Sequence, residues 1–105
     1  MSGVLVLPAA GPRLRTEQDA VDVIGEAWST DAQTVVVPVG RLDETFWTLS
    51  TRVAGGILGK FTQYRMRLVV VGDIAERLAA SETLRAFVHE ANRGGEVSFV
   101  EEFTG

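Results

Sequence analysis

Three stretches of this chain are almost unbroken runs of apolar, mostly β-branched residues: Val4 to Leu7 (VLVL), the VVVPV within Thr34 to Val39, and the LVVV within Arg67 to Val71. A strand with one wet face alternates apolar and polar residues. A continuous run instead describes a strand covered on both faces, as parallel strands are when helices pack above and below them. Val97 to Val100 makes a fourth, shorter run. These runs confine the chain to folds built on a buried parallel sheet.

Helical patterns occupy the intervals. After Thr16 comes EQDAVDVIGEAW, with Ala20, Ile24, Ala27 and Trp28 on one stripe at helical spacing. Thr16 is a natural N-cap, and Asp19 three residues on completes the outline of a capping box. Ser81 opens ETLRAFVHEAN, where Leu84, Phe87, Val88 and Ala91 recur at helical intervals before Asn92, Gly94 and Gly95 supply a left-handed stop. Phe46 to Tyr64 reads as a third helix, weakened by Gly55, Gly56 and Gly59, each costing about 1 kcal/mol relative to Ala. A short turn over Ile74 to Ala80 leads from the third strand into the last helix.

The expected order is therefore β-α-β-α-β-α-β in a single α/β domain over residues 1–105, a three-layer sandwich of four mainly parallel strands. A strand order of 2-1-3-4 is the expectation. Ligands of open parallel sheets sit beyond the carboxyl ends of the strands where the winding reverses. In that order the point falls between the first and third strands, near Arg13, Arg15, Asp43 and Asp73. A small-molecule binding protein or minor enzyme would use this crevice. Each of these residues also has a plain structural role open to it: Asp43 as an N-cap, Asp73 as a turn residue, and the arginines as solvated loop charges.

Composition removes other classes. Fourteen acidic residues against ten basic ones give a net charge of −4, opposite to a nucleic-acid footprint. Without cysteine there is no disulfide, thiolate metal site or catalytic thiol. The lone His89 falls opposite the apolar stripe of its helix, so neither a metal site nor a Ser-His-Asp triad is expected. No phosphate-binding loop or dinucleotide fingerprint follows the first strand. No catalytic residue, metal or cofactor is expected, and neither a membrane partner nor a secretion signal is indicated, which makes the cytoplasm the expected location.

The glycine-bearing helix offers a different kind of site. Gly55 and Gly59 are four residues apart and share a face, with Gly56 beside them. Such a groove admits either the underlying sheet or a partner's backbone. With Trp47 and Arg52 it forms a candidate interaction surface for a protein partner or a second copy of the chain. A sequence that stops at Gly105 with no helix after the fourth strand also points to uncovered apolar surface, and so to a homo-oligomer.

The words AGGILGKF…YRMRLVVVGDI and SETLRAFVHEANRG, together with most of the remaining chain, resemble a bacterial family known only as a domain of unknown function. More distantly, the strand at Thr34 to Val39, the loop to Asp43 and the helix LSTRVAGGIL are similar to STAS domains, the fold of anti-sigma-factor antagonists. That resemblance implies a regulatory interaction module and places Thr51 at the family's phosphorylated position, with Ser50 before it. The family's Asp-Ser-Ser-Gly is replaced here: Ser50 stands for the Asp, Arg52 for the second Ser and Val53 for the Gly. Without phosphorylation, Ser50 and Thr51 would serve as helix caps.

Overall fold

The computed structural model describes residues 3–103. Four strands, β1 (Gly3–Val6), β2 (Ala32–Pro38), β3 (Arg67–Val71) and β4 (Val97–Val100), form one sheet in which every neighbouring pair is parallel. Five helices connect them: α1 (Glu17–Ser29), α2 (Glu44–Trp47), α3 (Val53–Gln63), α4 (Ala75–Ala80) and α5 (Glu82–Gly94). The α/β class and parallel sheet are as the apolar runs require.

The strand order is 1-2-3-4, not 2-1-3-4. This correction reshapes the molecule. Each crossover of a parallel sheet turns with the same right hand. When every crossover also steps to the next strand in the same direction, all connecting helices fall on one face. Burial bears this out. Leu5, Val35, Leu68 and Val97 form one transverse row, and Leu7, Val37, Val70 and Phe99 belong to the same side; all join the core with Ala20, Ile24, Ala27, Ile57, Phe61, Leu84 and Val88 of the helices. Residues of opposite parity (Val4, Val6, Val36, Val69, Val71 and Val100) stand outside that core. The sandwich thus has one helix layer over the sheet, and the continuous runs do not mark strands covered twice by helices.

Local signals explain the helix ends. Thr16 Oγ1 accepts from Asp19 N at 3.1 Å, while Asp19 Oδ2 accepts from Thr16 N at 3.2 Å, a complete capping box. Ser81 caps α5 through Leu84 N, and Gly95 ends it at φ 79°, in the left-handed region. The segment Phe46–Tyr64 is not one helix. It divides into α2, a 3-10 turn at Leu49–Thr51 and α3, with Arg52 at φ 64° between the last two. A left-handed non-glycine residue breaks the hydrogen-bond ladder and re-aims the chain. Ile74 to Ala80 holds the six-residue helix α4 in place of a simple turn. Trp28 leaves the buried stripe of α1 and stacks edge-on with Tyr64 at 5.3 Å between ring centres.

Candidate functional site

The carboxyl ends of the strands carry three loops: residues 7–16 after β1, the segment 39–52 after β2, and Gly72 to Ile74 after β3. Because β2 lies between β1 and β3, no crevice forms between the first and third strands. The first two loops instead close on each other. Leu14 bridges to Leu42 in parallel fashion, with Leu14 N donating to Arg41 O at 2.7 Å and Asp43 N to Leu14 O at 3.1 Å.

Arg41 locks this arrangement. Its side chain is buried, and donates from Nε to the Pro12 carbonyl at 2.8 Å and from Nη1 to the Pro8 carbonyl at 2.9 Å. A buried guanidinium without such acceptors would carry a large desolvation cost. Gly11 lies against it: a Cβ there would stand 2.9 Å from the guanidinium carbon. Sequence reasoning missed Arg41, since its acceptors are backbone carbonyls about 30 residues away and no side-chain pattern announces them.

Most of the other rim charges are also engaged. Asp43 caps α2, accepting from Thr45 N at 3.2 Å and Thr45 Oγ1 at 2.7 Å, and pairs with Arg15 at 3.4 Å. The Thr45 hydroxyl and amide, with smaller help from Arg15 and Arg13, hold its carboxyl below the ordinary aspartate range. Asp73 accepts from Ala75 N at 2.9 Å, a turn role at the start of α4. Glu44 takes a two-pronged bond from Arg77, at 2.8 and 3.1 Å, which lowers the Glu44 carboxyl and raises the guanidinium. That guanidinium in turn lies 5.0 Å from the centre of the Trp47 ring. A depression of about 630 Å³ beside it is lined by Val39, Asp73, Ile74, Glu76, Arg77 and Ala80. Arg13 is exposed.

A second group of candidates gathers at the start of α3. Arg15, Thr51, Arg52 and Gly56, with Thr16, Glu17 and Val53, line a cavity of about 280 Å³. Two residues read from the sequence as crevice and switch, Arg15 and Thr51, therefore share one site. Thr51 Oγ1 lies 2.7 Å from the Thr45 carbonyl and 2.8 Å from that of Thr48, and accepts from Val53 N at 3.3 Å. Its single proton thus ties α2 and the 3-10 turn together, while its lone pair caps the start of α3. Thr51, Ser50 and Arg52 are all exposed.

The three glycines divide. A Cβ on Gly56 would meet Glu17 Cγ at 2.9 Å, so Gly56 is where α1 presses on α3. Gly55 and Gly59 have nothing within 4 Å of the same position. They do not pack onto the sheet, and they leave bare backbone on the outer face of α3. Trp47, expected on that surface, is withdrawn into the core at 8% exposure, packed edge-on to Phe46 at 4.9 Å and to Phe99 at 6.2 Å. It belongs to the fold and not to an exposed patch.

Among the described residues, no three His, Asp or Glu side chains gather as a metal site, and no helix is long and apolar enough to cross a membrane. Fold and rim together define an α/β domain with helices on one face of a parallel sheet, whose strand-end charges, the exposed Arg13 and Arg52 apart, are spent on caps, pairs and loop closure. The chain belongs to the family described as domain of unknown function DUF4180, whose model matches residues 1–104. No curated protein and no solved structure matches it.

Proposed function

We propose that this chain is a small, non-catalytic interaction module with a regulatory role in the bacterial cytoplasm, acting through the outer face and amino end of α3. The observation that carries the reading is the open space at Gly55 and Gly59. Helix-interior glycine costs about 0.5–1 kcal/mol relative to alanine, and here neither residue returns that cost through packing. Bare backbone on an outward face lets a partner's backbone approach closely.

The similarity to STAS domains supports the same surface, since it aligns Thr51 with a phosphorylated position just before the glycine-bearing helix. The local hydrogen bonds give such a switch a mechanism. A phosphate ester on Thr51 Oγ1 removes the proton shared with the Thr45 and Thr48 carbonyls and sets about −1.5 to −2 charge in the cavity beside Arg15 and Arg52. The α2–α3 junction would loosen, and any partner seated there would meet a new charge.

The test is affinity capture from the native cell with wild-type bait and with Gly59→Arg bait of matched stability. The reading expects a stoichiometric partner retained by the first and lost by the second. Equal recovery on both baits, or no partner on either, would remove its support.

A further inference from the structure

At the amino ends of the strands the charges are placed differently from those at the carboxyl ends. The chain turns from α1 into β2 through Asp31 at φ 61°, from α3 into β3 through Arg65 at φ 55°, and from α5 into β4 through Gly95 at φ 79°. A left-handed residue stops each helix there, and glycine adopts that conformation with least strain. After α1 and α3 the position carries an acid and a base instead. Both line one hollow of about 430 Å³, together with Trp28, Ala32, Gln33 and Met66. Trp28 is 54% exposed, and its edge contact with Tyr64 steadies the ring. Arg67 and Glu96 line an adjoining hollow of about 420 Å³ that shares Arg65 and Met66. Among the described residues none of these four charged side chains takes part in an ion pair.

From this end of the sheet we infer a binding site for a neutral pyranose sugar, with one ring against Trp28 and the adjoining hollow open to a second. Charge narrows the ligand. Asp31 and Glu96 balance Arg65 and Arg67, so the side chains select neither an anion nor a cation. The carboxyl ends of α1, α3 and α5 add partial negative charge, which disfavours a phosphate and so a nucleotide. What the hollow offers is an exposed indole bordered by a carboxylate that only accepts, a guanidinium that only donates and the Gln33 amide, which does both. The C–H face of a pyranose is apolar and packs on an aromatic ring, while every hydroxyl at its edge both donates and accepts. Vicinal hydroxyls fit the two-pronged ends of a carboxylate and a guanidinium.

The size of the first hollow falls within the range of roughly 300–1,000 Å³ occupied by small-molecule sites. Glycine would serve the backbone at positions 31 and 65 as it does at 95, so the strain at both is borne for their side chains. A ligand held between them supplies the reason. The site lies at the opposite end of the sheet from Thr51 and the amino end of α3, and is separate from that surface.

The two tryptophans give two indole N–H signals in a heteronuclear NMR spectrum, and Trp28→Phe assigns the exposed one. Methyl glucoside, methyl galactoside, methyl mannoside, N-acetylglucosamine, maltose and cellobiose are titrated at millimolar concentrations, with guanosine for comparison. At least one sugar should shift the Trp28 signal saturably and leave the Trp47 signal in place. Asp31→Gly and Arg65→Gly should melt no lower than the wild type, and each should weaken that sugar at least about tenfold. No saturable shift with any of these sugars overturns the proposal, as does a response to guanosine alone. Full-strength binding by either glycine variant overturns it too, because the strained side chain then does nothing for the ligand. A lower melting temperature in either variant shows that the side chain serves the fold, with the same consequence. So does a Trp28 signal that moves with protein concentration and not with sugar, the mark of contact between copies.

Discussion

Replacing Gly55 and Gly59 by alanine should make this protein more stable. Both lie within α3, where an added Cβ meets nothing within 4 Å. The substitution therefore introduces no clash and removes only the backbone freedom that glycine has in the unfolded chain. Each change should contribute about 0.5–1 kcal/mol, and the pair about 1–2 kcal/mol. For a domain near 100 residues this raises the melting temperature by about 4–8 °C per kcal/mol. Gly56→Ala supplies the contrast. Its Cβ would press on Glu17 Cγ at 2.9 Å, and moving Glu17 disturbs its 3.7 Å pairing with Lys60. The helix-propensity gain should then be cancelled, leaving a net effect within about 0.5 kcal/mol of zero or mildly destabilising. Urea titration followed by circular dichroism would measure all three. If Gly55→Ala and Gly59→Ala are neutral or destabilising, those glycines serve the fold, and the argument that they are kept for a partner fails.

Gly72 should be the least replaceable glycine of the rim. It sits at φ 147°, and a Cβ would stand 2.6 Å from Val39 Cγ2, so Gly72→Ala should cost about 2–5 kcal/mol in the same titration. A loss under about 1 kcal/mol would contradict the close approach of that turn to Val39. Arg41→Met should cost about 2–4 kcal/mol by leaving the Pro8 and Pro12 carbonyls without their donors, and should speed proteolysis of the loop after β1. Unchanged stability and unchanged cleavage would show that the loop holds without it. Acid should weaken the fold through Asp19, Asp43 and Glu44, whose carboxyls are lowered chiefly by bonds from the Arg15 amide, the Thr45 hydroxyl and Arg77 respectively. For a lowered carboxyl the stabilisation is complete above the unfolded value. It is lost as pH falls from about 4 through the folded value, because the unfolded chain then binds the proton more readily. Replacing all three by their amides should flatten the loss of stability as pH falls below about 4. An unchanged acid limb would mean that these bonds carry no linkage.

The sequence shows the elements more plainly than their arrangement. Thr16, Asp19, Ser81 and Gly95 act over one helical turn, so their caps can be read from spacing alone, and the parallel pairing follows from the valine runs. Strand order is a different matter. A run such as VLVL signals freedom from polar residues, and it looks the same whether helices lie on both faces or one face is left bare. Arg52 entering the left-handed region is likewise invisible in LSTRVAGG, because the break is imposed where Thr51 ties back to Thr45 and Thr48. At the site, Asp43 proved to be the cap of α2 and Asp73 a turn residue before α4, as their positions before short helices allow. The meeting of Arg15 with Thr51 depends on how the first two loops close, and Arg41 governs that closure through carbonyls distant in the chain.

The proposed partner surface is the outer face of α3, where a Cβ on Gly55 or Gly59 would meet nothing within 4 Å. The most direct test measures partner binding side by side in wild type and Gly59→Arg, with circular dichroism confirming that both are folded. The account predicts that Gly59→Arg keeps the fold and abolishes partner binding. A folded Gly59→Arg protein that still binds its partner at full strength would contradict it.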